Sequence, residues 1–224
     1  DFIDAALYEL GRTYVAQNKT NDALAYMNRV VENHPNSSYK RKAMVSTGLI
    51  YYNMDRNDEA LTIFKKVVEE NPNYSDSKEA LRGIQIIYKE SGDVSGYESY
   101  ISTLAFMNIS DGSLDSLNYE STELRYMAGN CSEAISGFQR YLSKFDQPIF
   151  YLNASFYLAQ CLYKSGNFPE ALNYYTNVLR RPTSKFTEPA LVKASYINFI
   201  TNQFEVAASQ YERLYELANY PENK

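Results

Sequence analysis
An alanine recurs at positions 23, 60, 134, 171 and 207, in steps of 37, 74, 37 and 36 residues. A period of this length constrains the fold more than any local propensity. It requires repeated supersecondary units, each too small to bury its own apolar surface and stable only when stacked on its neighbours. The step of 74 is twice 37 and calls for a sixth member near position 97, where Tyr97 follows the turn-like Ser91-Gly92-Asp93. Four residues after these positions stand Met27, Phe64, Ile101, Phe138, Tyr175 and Tyr211; seven after stand Val30, Val67, Leu104, Tyr141, Val178 and Leu214. Spacings of four and three place each triplet on one stripe of a helix.

A second helical pattern runs ahead of each alanine, with Leu7, Leu10, Gly11 and Tyr14 in the first unit and Met44, Gly48 and Tyr51 in the second. Turn formers separate the two helices: Asn18-Lys19-Thr20-Asn21, Asp55-Arg56-Asn57-Asp58, Ser91-Gly92-Asp93, Gly129-Asn130 and Ser165-Gly166-Asn167. Each unit therefore reads as a helical hairpin. Pro35 and Pro72 fall twelve residues after Ala23 and Ala60, where proline ends the second helix. The units run over approximately 4–40, 41–77, 78–114, 115–151, 152–187 and 188–224, a single array over 1–224. Small residues such as Gly11, Gly48, Ala60 and Ala134 are expected at the helix crossings, where they allow close approach. The segment Asn108–Ser113 departs furthest from the pattern, as either a kink or a specialised contact would.

The order Leu10-Gly11, Tyr14, Ala23, Met27 and Pro35, repeated as Gly48, Tyr51, Ala60, Phe64 and Pro72, resembles the tetratricopeptide repeat. That resemblance implies an all-α solenoid of about six antiparallel helix pairs coiled as a right-handed superhelix, and a non-enzymatic scaffold that binds a peptide or protein in its concave groove. The family period is 34, and the excess here sits at the junctions between units. The longer repeats, with His34-Pro35-Asn36-Ser37 ahead of a basic first turn, resemble those of bacterial cell-envelope proteins of the outer-membrane assembly and Tol-Pal coordinator kind. They imply the cell envelope, periplasmic or outer-membrane-associated, over the cytoplasm.

In the resembled family the groove is lined by the fifth, ninth and twelfth places of each unit. Here the candidate binding residues at those places are Tyr8, Arg12, Tyr52, Arg82, Lys89, Tyr119, Tyr126, Phe156 and Tyr163; the places of the sixth unit hold Val192, Tyr196 and Phe199. Aromatics dominate, so the surface suits apolar side chains and a carboxylate. Tyr8 and Arg12 stand where chaperone-tail clamps of the family carry Lys and Asn, which disfavours that ligand. The blander alternative is that several of these aromatics are buried by neighbouring units or by the extra residues at each junction. At the level of function, the alternative is a structural segment of a larger envelope assembly whose contacts are intramolecular or at the terminal repeats.

Composition narrows the classes further. The net charge is −5 and neither half of the chain is basic, which disfavours nucleic acid, since binding it needs clustered Lys and Arg. No stretch is long and apolar enough to span a bilayer. A single histidine, His34, and no phosphate-cradling glycine run leave no visible catalytic, metal or cofactor apparatus. Cys131 and Cys161 read as small packing residues, with a bridge between adjacent repeats left open. The apolar side of the last helix, with Tyr211, Leu214 and Leu217, leads to the expectation that the chain is a segment of a longer array or that this side is covered by self-association.

Overall fold
The computed structural model describes residues 2–70, 75–104 and 110–217. These form twelve α-helices and, among the described residues, no strand: α1 (Ile3–Ala16), α2 (Thr20–Asn33), α3 (Lys40–Asn53), α4 (Asn57–Glu70), α5 (Ser75–Ser91), α6 (Val94–Ser102), α7 (Asp111–Met127), α8 (Cys131–Lys144), α9 (Tyr151–Lys164), α10 (Phe168–Leu179), α11 (Thr187–Ile200) and α12 (Phe204–Leu217). The chain is all-α and divides into two compact units of three helix pairs each, 1–108 with α1–α6 and 109–224 with α7–α12. In the first unit each helix packs on the next, and α3 also meets α5; in the second the same succession holds, and α7 also meets α9.

The six hairpin turns share one backbone device. Asn18, Asp55, Gly92, Gly129, Gly166 and Asn202 adopt φ of 57, 57, 81, 78, 80 and 60°. This left-handed region strains most side chains, whereas glycine enters it freely and Asn and Asp at small cost. In five of the turns the next amide reaches back to a carbonyl five residues earlier, as Lys19 N–H does to Tyr14 at 2.9 Å and Asn167 N–H to Leu162 at 2.9 Å. This bond satisfies a carbonyl that the ending helix would otherwise leave open. Gly92 places the third pair, whose alanine is missing, in the same frame.

The apolar triplets sit where the spacing puts them in five pairs. Met27, Phe64, Ile101, Phe138 and Tyr175 are buried, as are the residues three positions further on. Phe64 shows why small residues are needed: a Cβ at Gly48 on α3 would lie 2.5 Å from its ring, and one at Gly83 on α5 would lie 2.6 Å from it. The ring is clasped between its own pair and the next. Tyr211 of α12 departs from the pattern and is exposed. Phe64 and Phe138 at this position lie against the first helix of the following pair, at Gly83 and Tyr157, and no such helix follows α12 among the described residues.

The junctions hold the extra residues of the long period. α2 stops at Asn33 just ahead of Pro35, while Pro72 lies outside the described residues. Of the segment Asn108–Ser113, Asn108 and Ile109 lie outside them too; Ser110 caps α7 by accepting a hydrogen bond from Ser113 N–H. At the starts of α3, α9 and α11 the capping position is taken by Tyr39, Phe150 and Phe186, none of which makes a side-chain cap. Their rings lie instead on the preceding first helix, on Tyr8 at 5.3 Å, Tyr119 at 4.3 Å and Phe156 at 4.8 Å between centroids.

The reading of the cysteines as separate packing residues is corrected. Cys131, the first residue of α8, and Cys161 on α9 form a disulfide with Cα atoms 5.2 Å apart. Each lies near a hairpin turn, Gly129 and Gly166 respectively, so both belong to the same edge of adjacent repeats and come within bridging reach.

Candidate protein-interaction face
The first helices α1, α3 and α5 of one unit and α7, α9 and α11 of the other carry the candidate residues. In the first unit Tyr8 and Arg12 border a cleft of about 390 Å³ that also takes in Tyr39, Lys42 and Asp76. Arg12 is exposed, pairs with Glu9 at 3.1 Å and lies 6.0 Å from the Tyr8 ring. Tyr52 is half-buried and donates to the Glu90 carboxylate at 2.9 Å, and that bond, with burial, raises its phenol pKa. Arg82 is exposed on α5 and Lys89 half-buried near its end. Tyr8 and Arg12 are thus brought together, while Tyr52 is engaged with an acid of its own unit.

In the second unit two of the candidates belong to the core. Tyr119 is 2% exposed and Phe156 7%. The fifth place of these helices is closed by the junction rings Phe150 and Phe186, so neither candidate presents a surface to a ligand. Tyr119 also donates to Glu123 at 2.5 Å, and burial followed by that bond drives its phenol far above the usual range. Tyr126 and Tyr163 are half-buried. Tyr126 stacks on Tyr157 at 4.4 Å, and Tyr163 meets Phe168 at 5.3 Å and Tyr196 at 6.5 Å.

The open part of this face lies on α9 to α12. Tyr196 is 44% exposed and Phe199 54%, and Phe199 meets the exposed Phe204 at 5.7 Å. Lys193, one turn before Tyr196, holds its ammonium 4.6 Å from the Tyr163 ring, and Lys164 lies 5.9 Å from that of Tyr126. The groove places pointed to Tyr163, Tyr196 and Phe199 but missed Phe168, Phe204 and the two lysines, which stand one position beyond a groove place or at the start of a second helix. Among the described residues no group of three or more His, Cys, Asp or Glu could hold a metal, and no helix is long and apolar enough to cross a membrane.

This arrangement of paired helices about shared small-residue seams belongs to a class of helical-repeat proteins. Sequence profiles of the tetratricopeptide repeat match residues 5–37 and 42–74, and a second such profile matches 123–185, together more than half of the chain. The chain belongs to the tetratricopeptide-repeat family, whose members are generally non-enzymatic protein-interaction scaffolds. No curated protein matches it. Among solved structures it is similar to PilF of Pseudomonas aeruginosa, at 14% identity and a TM-score of 0.44 over 99% of this chain and 94% of that one. A tetratricopeptide repeat protein from Parabacteroides merdae gives 17% identity and 0.42 over 99% and 81%. The Naa15/Naa10 complex bound to HypK-THB gives 14% and 0.55 over 96% of this chain and 32% of that one, a likeness of fold.

Proposed function
We propose that this protein is an interaction scaffold that receives a peptide, or an exposed segment of a partner protein, on the solvent side of its first helices. The observation that carries the reading is the band of rings at Tyr163, Tyr196, Phe199 and Phe204. Tyr196, Phe199 and Phe204 are large apolar groups left in water, continued by the half-buried Tyr163, on a fold whose other aromatic rings are largely stacked away, and contiguous exposed apolar surface marks interaction sites. In the first unit the Tyr8–Arg12 cleft is a second, more polar contact region.

The proposal includes the compartment. A disulfide persists where the surroundings are oxidising, so Cys131–Cys161 supports the bacterial cell envelope, on its periplasmic or outer-membrane side, over the cytoplasm.

The test is selection of peptides from a random displayed library on the whole chain. Selected peptides are expected to lose about tenfold or more in affinity on Tyr196→Ala and Phe199→Ala. Peptides indifferent to both substitutions, or no selected peptides at all, would defeat the reading. A second reading, a structural segment with its contacts on the last pair, is favoured by Tyr211 and Tyr215 on α12, both exposed. It predicts that photo-crosslinkers at 211 and 215, rather than at 196 and 199, trap a neighbour in the envelope.

A further inference from the structure
We infer that the α9–α12 band takes an acidic segment bearing aromatic or long aliphatic side chains; this rests on the interaction reading above and names the chemistry of its partner. The rings alone would accept any apolar side chain. The lysines make the choice. Lys193 and Lys164 each rest against a tyrosine ring, at 4.6 and 5.9 Å, and neither has a carboxylate partner among the described residues. In the first unit Arg12, Lys40, Arg41 and Arg56 are matched with Glu9, Glu70, Asp76 and Glu59, while Lys19, Arg29, Lys42 and Lys65 rest on tyrosine rings as the two lysines do here; what sets the α9–α12 band apart is the exposed rings of Tyr196, Phe199 and Phe204 on the same elements.

A cation seated on a ring keeps its remaining N–H donors available and is held where an incoming carboxylate can meet it. The ring band beside it offers contact for the apolar side chains of the same segment. Acidic residues interleaved with Phe, Tyr or Leu satisfy both at once, and opposite charge across the contact gives selectivity as well as faster encounter. A single-stranded nucleic acid also offers anions and stacking faces. Two lysines on a chain of net charge −5 are far fewer cations than a polyphosphate needs.

The experiment uses fluorescence anisotropy on the whole chain with three labelled dodecapeptides. One alternates Asp and Glu with Phe and Leu, one carries Lys in place of every acid, and one carries Ala in place of every Phe and Leu. The acidic apolar peptide is expected to bind, each of the others to bind about tenfold or more weakly, and added salt to weaken the first. Lys193→Glu, with helicity checked by circular dichroism, should weaken the acidic peptide and strengthen the basic one. Equal binding of the basic peptide, an unchanged preference in Lys193→Glu, or equally tight binding of an oligothymidylate would overturn the inference. If the basic peptide binds equally well and Phe199→Ala still weakens it, the chemistry is wrong and the interaction face stands. If no peptide responds to Phe199→Ala, the face itself is wrong and the inference falls with it.

Discussion

The ring of Phe150 lies flat on that of Tyr119, 4.3 Å between centroids with the planes 11° apart, and so closes a position that would otherwise open toward a ligand. Phe150 occupies the N-cap of α9, where Ser, Thr, Asp or Asn would normally accept an amide hydrogen bond. Packing and capping compete for this one residue, and their magnitudes decide between them. Removing a fully buried phenylalanine costs roughly 3–5 kcal/mol, about half of that for a half-buried ring, and a serine cap returns about 1 kcal/mol. Phe150→Ser should therefore destabilise the protein by about 1 kcal/mol in denaturant unfolding. A more stable variant would mean that the cap outweighs the stack. Tyr119→Phe should leave peptide affinity unchanged, since the ring faces the core.

A second junction device lies beside it. The buried Asp115 carboxylate accepts from the Tyr141 hydroxyl at 2.5 Å and from the Ile149 amide at 3.0 Å, while the Phe150 amide donates to that hydroxyl at 2.9 Å. Asp115→Ala removes two hydrogen bonds to a charged group and should cost on the order of 3 kcal/mol; Tyr141→Phe should cost about 1–2 kcal/mol. Because the two side chains share one network, the double variant should lose clearly less than the sum. Strict additivity in a double-mutant cycle would refute the network.

The left-handed turn residues give a prediction of opposite signs. Gly166→Ala forces a Cβ into φ near 80°, where about 1 kcal/mol is lost, whereas Asn202→Gly relieves the same strain and should be neutral or slightly stabilising. Nothing lies within 4 Å of a Cβ built at Gly166, so a loss there would report backbone conformation alone. Equal effects of the two changes in thermal unfolding would contradict the assignment.

These turns also mark how far the sequence could be read. The period, the hairpins and the burial of five of the six expected triplets were legible because alanine, glycine and asparagine stand at fixed intervals for steric reasons. Tyr119 and Phe156 misled because the rule for groove places counts along one helix, whereas their cover comes from Phe150 and Phe186, about thirty residues away and at positions where a small polar cap is expected. The disulfide was hidden for a similar reason. Its partners are related by the shared edge of two repeats, which becomes visible once Gly129 and Gly166 are seen to be the same turn one period apart.

Tyr119, Tyr141 and Tyr175 sit in the core, and burial, first among the causes, raises the pKa of each phenol well beyond its ordinary value; Tyr100 is pushed up to about 12. The neutral form is thus favoured in the folded state, while in the unfolded chain the same phenols ionise near pH 10. Their contribution to stability is fully present below that value and falls as pH rises above it, because the unfolded state then sheds protons that the folded state retains. Stability should decline steeply above about pH 10, and phenolate absorbance from the buried rings should appear together with loss of helicity. Full titration of all tyrosines near pH 10 with the helices intact would contradict the burial.

The disulfide Cys131–Cys161 spans 30 residues and ties α8 to α9 within the second unit. Closing a loop of that length removes conformations from the unfolded chain and should stabilise by about 3–4 kcal/mol on the chain-entropy account. Reduction, or Cys131→Ser at the partly exposed end of the bridge, should lower the unfolding midpoint of the second unit and leave that of the first in place. The thiol count gives an independent check: the chain denatured without reductant should show no reactive thiol, and after reduction it should show both of its cysteines. Reactive thiols in protein recovered from cells under trapping conditions would remove the bridge, and with it the argument for an oxidising compartment. An intact bridge whose reduction shifted both units equally would mean that the two units unfold as one.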